Sequence, residues 1–217
     1  MADLPANNPA RAAEFAGSLS TVAAVREDLG LRPGASTPTF ETRADLDIVQ
    51  AGVWGNVLAA SDPAWADDGN GNPLLYEAKG LRERFPDARI VGRVEVHCGA
   101  EHTEDLVWLP DGTMFHASGW PGDEPFVVTG DPEAVLSSLG ITRDMLDRMG
   151  EMDDMDDMGR HIDLDDEPSQ IDWAALSALA LGEADPWGIA GLNMSSLRVR
   201  HTEGATSHME GLYFITG

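Results

Sequence analysis

Two imidazoles and two carboxylates lie close together in one stretch of the chain: Glu95, His97, His102 and Glu104. Nitrogen and oxygen donors of this kind suit zinc and similar divalent ions. A bound cation lowers the pKa of water and a neighbouring carboxylate takes the proton, which is the core of metal-assisted hydrolysis. For that chemistry the four side chains must share one face. From Ile90 to Cys98, apolar Ile90, Val94, Val96 and Cys98 alternate with polar Arg93, Glu95 and His97, the period of a half-buried strand. A hairpin closing over Cys98-Gly99-Ala100-Glu101 sets His97 opposite His102, Glu95 opposite Glu104 and Arg93 opposite Leu106, with facing side chains about 5 Å apart. The quartet then forms a candidate divalent-metal site on the exposed face of a meander over 88–128. The plainer reading is that this spacing matches no metal motif and that exposed strand faces ordinarily carry such residues. Cys98 falls on the core face and reads as packing. His116 needs another element to join any site.

A second pattern is made of methionines. Met145, Met149, Met152, Met155 and Met158 recur every three or four residues, so a helix continuing through them presents one methionine stripe opposed by aspartates. Met145 and Met149 read as core. Met152, Met155 and Met158, set among Asp153, Asp154, Asp156 and Asp157, read as a contact for another protein or another copy of the chain. Residues 151–168 are strongly acidic and are expected to be extended or held by a partner. Carboxylates at Asp67 to Asn72 and at Asp153 to Asp166 suit calcium chemically, yet neither run places its ligands at the positions a helix-loop-helix calcium site requires.

The chain has 217 residues, and 38 acidic against 14 basic residues give a net charge of −24, with Lys79 as its one lysine. Such a surface repels nucleic acid and anionic membranes. Trp108, Trp120, Trp173 and Trp187 lack the interleaved basic residues that make stacking platforms for bases. Adaptation to molar salt, high coding GC (for arginine over lysine) and a surface made for a basic partner are the competing sources of the charge. The first residues carry Asp3 and Glu14 and no basic leader or long apolar run, so neither a secretory signal nor a membrane span is expected. With one cysteine, an intrachain disulfide framework is excluded. A cytoplasmic protein, or a virion component in a host cell interior, is the expectation.

The elements that must position these residues read as follows. Asn8 and Pro9 open a helix running to Gly30, and Leu46, Val49, Val53 and Val57 mark a second helix. Pro73 to Phe85 is a third, Asp131 caps a fourth, and Ser169 with Asp172 caps a last one over 171–181. Within the meander, Leu109-Pro110-Asp111-Gly112-Thr113 is a turn with Gly112 in a bulge, which pairs Leu109 with Thr113 and keeps Phe115 beside Val107. Residues 197–201 and 211–215 form a closing hairpin. Together these predict one α+β domain over 1–217, with a single antiparallel sheet of about five strands covered by helices. No part of the chain resembles a known family. The functional expectation is a non-enzymatic acidic interaction or structural protein, a subunit of a larger viral or halophilic assembly or an inhibitor of a basic partner, with no cofactor beyond a divalent metal ion. The alternative is a metal-dependent hydrolase at the histidine face.

Overall fold

A computed structural model describes residues 4–33, 42–67, 69, 71–97, 101–123, 125–146, 162–182 and 192–213. The architecture is mixed α+β with antiparallel sheets, as the patterning predicts, but it has two four-stranded sheets in place of the single sheet of about five strands. The chain divides into two compact units, one made of residues 1–66 and 183–217 and the other of residues 67–182.

The first unit holds β1 (Val22–Pro33), β2 (Ile48–Trp54), β3 (Val57–Ser61) and β8 (Asn193–His201), in the order β1-β8-β2-β3. Helix α1 (Pro9–Ala16) packs on β2. As expected, Asn8 caps it by accepting the Arg11 N–H, with Pro9 at its first position. It stops at Ala16, however, and the chain continues as strand β1 where a helix to Gly30 was expected. The apolar pattern misleads here because β1 is mostly exposed and is held by ladder bonds to β8, a partner far away in sequence. The expected helix marked by Leu46, Val49, Val53 and Val57 gives way to a hairpin, β2 and β3, closed at Gly55-Asn56 with Gly55 at φ +65°. Buried along nearly all its length, β2 shows no alternation, and its valines fall at helical spacing by coincidence. The expected closing hairpin is likewise corrected. Residues Glu203–Tyr213 form helix α5, begun by the Thr202 hydroxyl accepting the Ala205 N–H and seated by Met209 on Leu46 and Ala64.

A polar lock closes this unit. His201, wholly buried, places Nε2 3.0 Å from Asp62 Oδ1, while Asp62 also accepts the Thr21 hydroxyl at 2.6 Å and the Ala64 N–H at 2.9 Å. Burial, with the Asp62 charge adding to it, pushes the Tyr213 phenol up to about 12. Its hydroxyl donates to the Pro63 carbonyl.

The second unit holds the meander β4 (Ile90–His97), β5 (Glu101–Trp108), β6 (Met114–Gly119) and β7 (Val127–Gly130), paired in chain order. The turn after β5 is the expected one. Gly112 sits at φ +94°, Leu109 N–H donates to the Thr113 carbonyl at 2.8 Å, and Val107 pairs with Phe115. Helix α2 (Pro73–Arg84) lies across one face of this sheet, where Leu74 packs over Gly92. On the other face Val107, Phe115 and Ala117 form a core with α3 (Pro132–Ser138) and α4 (Trp173–Leu181), the Trp173 ring lying against Phe115 and Phe126. Asp131 caps α3 as expected, whereas Asp172 alone caps α4 and Ser169 is buried. Arg89 donates to the Ala180 carbonyl at the last turn of α4. Sandwiched between helices, β5 is buried on both faces.

One glycine carries close packing in the first unit. A Cβ at Gly52 would stand 2.1 Å from Cη2 of Trp54, itself buried two residues along the same strand. Gly52→Ala is expected to cost about 1–3 kcal/mol by overpacking and to lower the Tm by several degrees, read by thermal unfolding under far-ultraviolet circular dichroism.

Candidate functional site

The ladder between β4 and β5 is offset by one residue from the expected hairpin. His102 pairs with Val96, Glu104 with Val94 and Leu106 with Gly92, while Glu95 pairs with Thr103 and His97 with Glu101. A slip of one residue exchanges the two faces of a strand. Glu95 and His97 therefore belong to the opposite register set from His102 and Glu104, and the candidate metal quartet is divided between two faces. Among the described residues no group of three His, Cys, Asp or Glu side chains converges as a metal site would require.

What Glu104 does is structural. It is completely buried and accepts three hydrogen bonds: the Leu74 N–H at 3.3 Å, the Leu75 N–H at 3.0 Å and His116 Nε2 at 2.9 Å. The N-cap of α2 is Asn72, held at φ +79° with no capping bond from its own side chain. Glu104 thus caps α2 from the sheet beneath, where a carboxylate satisfies otherwise free N–H groups and the positive end of the helix dipole. His102, 1% exposed, stands edge-on to Trp120 with ring centroids 5.0 Å apart and has Ser118 Oγ 3.5 Å from its Nε2. Asp67, one of the residues read for calcium, accepts the Gly71 and Asn72 N–H groups and closes the turn into α2. Cys98, Asp68, Asn70 and the whole expected partner interface, Met152, Met155, Met158, Asp153, Asp154, Asp156 and Asp157, lie outside the described residues. Met145 is exposed where core packing was expected.

The feature with chemical capacity is on the other face of β5. A cleft of about 260 Å³ is bordered by Arg93, Glu101, Thr103 and Asp105 from the sheet and by Pro121, Phe126 and residues 169–174 leading into α4. Asp105 is 1% exposed, and its Oδ1 has no hydrogen-bond partner. Directly opposite in the ladder is Arg93, whose Nη2 reaches Glu95 at 2.7 Å. Burial pushes the Asp105 carboxyl up to about 7; the charge of Arg93 and the hydroxyl of Ser177 pull downward, while Asp172 and Glu95 add to the rise. A buried carboxyl poised near neutrality beside a cleft can exchange a proton or meet a cation. Sequence reading passed over Asp105. The available signal was its parity, which it shares with Val107 on a strand whose odd face is core.

The second unit is therefore a helix-covered antiparallel meander in which, among the described residues, the buried Asp105 borders a cleft, and this marks a class of architecture without dictating a reaction. The chain belongs to the family described as a family of unknown function (DUF6333), whose model matches residues 1–216. No curated protein and no solved structure matches the chain.

Two outcomes test this geometry. Glu104→Ala leaves two helix amides and His116 without their acceptor, so urea unfolding is expected to show a loss of about 3–5 kcal/mol, as for one member removed from a buried pair. Glu104→Gln, which retains an acceptor oxygen, is expected to lose less. For Asp105, the unfolded carboxyl releases its proton near 3.8 and the folded one near 7. Between those values the folded state holds more protons, so this group's contribution to stability falls as pH rises from about 4 to about 7 and is level above. Asp105→Asn is therefore expected to gain on the unsubstituted protein by about 2–3 kcal/mol between pH 5 and pH 8, measured as the difference in unfolding free energy at the two values.

Proposed function

We propose that the protein is a non-enzymatic acidic interaction protein that engages a basic protein surface, as a subunit of an assembly or as an inhibitor. The observation that supports this reading is where the acid lies. Among the described residues the buried carboxyl side chains are Asp62, Asp67, Glu77, Glu104 and Asp105. Four of these face a named partner: His201 for Asp62, the Gly71 and Asn72 amides for Asp67, Arg84 at 3.7 Å for Glu77, and the α2 amides with His116 for Glu104. Every other described carboxylate is at least partly exposed, so the excess behind the net charge of −24 faces outward there. A field of one sign speeds encounter with a basic partner and rejects nucleic acid and anionic lipid. Metal-assisted hydrolysis at Glu95, His97, His102 and Glu104 loses its geometric support with the divided register.

The test is the Tm between about 0.1 and 3 M KCl. Screening shortens from about 10 Å at 0.1 M to about 3 Å at 1 M. If the acid serves a partner, stability is expected to level off by about 0.3 M, once long-range repulsion is mostly screened. A rise continuing to molar salt would mark the charge as adaptation to a saline interior and overturn the reading.

A further inference from the structure

We propose that the cleft beside β5 is a binding site for a small organic cation, an alkylammonium or alkylguanidinium group whose charge meets Asp105 and whose hydrocarbon lies on Pro121, Phe126 and Ile171. This goes beyond the interaction reading, because it stands on one cavity and one side chain whatever the origin of the surface charge.

The arrangement around Asp105 is hard to explain as packing. A buried polar atom left without a partner costs the full desolvation of the group. Two groups able to relieve it are already in place, the Ser177 hydroxyl and the guanidinium of Arg93, the cross-strand neighbour of Asp105. The guanidinium is nevertheless bonded to Glu95, and Asp105 Oδ1 remains without a donor. The fold thus keeps one oxygen of a buried carboxyl without a hydrogen bond at a cleft, and the Arg93 charge and the Ser177 hydroxyl offset only part of its desolvation. A donor carried by a ligand would complete the set.

Charge decides the kind of donor. The cleft brings Glu101, Asp105 and Asp172 against the single guanidinium of Arg93. Asp172 also holds the first turn of α4 by accepting the Ala175 N–H, so it is a fixed acidic group. An anion would meet three carboxyls, and a neutral donor would leave the ionised Asp105 with only part of the compensation that a charged hydrogen bond supplies. The apolar wall sets the rest of the ligand. Phe126 and Ile171 are themselves buried in the core behind the cleft, and Trp173 is fixed by its Nε1–H bond to the Pro168 carbonyl, so the surface offered to a hydrocarbon is rigid. At about 260 Å³ the cleft lies just below the usual range of ligand pockets, about 300–1,000 Å³. It suits a chain of a few carbons ending in one charge, as in a free alkylamine or the side chain of a basic residue.

The experiment compares n-pentylamine with n-pentanol, its uncharged analogue, by ligand-detected nuclear magnetic resonance titration of the whole protein at pH 8. Pentylamine is expected to bind about tenfold or more tightly than pentanol, and Asp105→Asn is expected to erase that preference. Equal binding of amine and alcohol by the unsubstituted protein, or an undiminished preference in Asp105→Asn, would overturn the proposal. Should the variant not fold, amide shift mapping on the unsubstituted protein decides: perturbations centred on residues 101–105 and 169–174 uphold the site, and perturbations elsewhere refute it. A short acetylated peptide with one lysine separates the two sources of the cation. Tighter binding than pentylamine assigns it to a partner's side chain and weaker binding to a free amine, and both uphold the site. A Tm that climbs to molar KCl while pentylamine still binds would remove the basic-partner reading and leave this site standing. A plateau with no amine preference would do the reverse.

Discussion

The second unit depends on a single buried carboxylate. Glu104 comes from the middle of a strand covered on both faces, and it has no access to water. An isolated charge there would be prohibitively costly. It is accommodated because α2 begins directly above it with two free N–H groups and because His116 lies on the neighbouring strand, 2.9 Å away. The same contacts fix the position of α2 on the sheet, since the helix has no side-chain cap of its own. The turn that leads into it is shaped by Asp67 in the same manner, a carboxylate accepting backbone amides.

The first unit uses a related device. Asp62 gathers a hydroxyl from Thr21, the Ala64 amide and the His201 imidazole, and so joins the start of β1, the end of β3 and the end of β8. In both units a buried acid is retained as a junction between elements distant in sequence, and each is surrounded by enough donors to offset its desolvation. Asp105 is the exception. Arg93 binds Glu95, the Arg93 charge and the Ser177 hydroxyl offset only part of the Asp105 desolvation, and Asp105 borders a cleft. This contrast between buried acids that organise the fold and one that does not gives Asp105 its chemical interest.

Several elements were legible in the chain because their causes are local. Asn8-Pro9 and Asp131-Pro132 start helices with a side-chain acceptor and a fixed φ, and Pro110-Asp111-Gly112 turns the chain with glycine in the left-handed region. The 88–128 meander follows from alternation broken by these turns. The charge, and with it the exclusion of nucleic-acid binding as an expectation, is a matter of counting.

What the sequence could not settle was pairing. Strand β1 is exposed along most of its length and is a strand because β8, some 170 residues later, bonds to it. Strand β2 is buried on nearly every residue, and without alternation its valines imitate a helix. The histidine site failed for the same reason at finer scale: a shift of one residue in the β4–β5 ladder moves His102 and Glu104 to the face opposite Glu95. Composition and turn chemistry act within a few residues, so the sequence by itself determined the helix starts at Pro9 and Pro132, the turn at Pro110-Asp111-Gly112, the meander and the charge. Register, sheet membership and the burial of Asp105 beside a cleft arise from contacts between distant segments, and those only the tertiary structure decided.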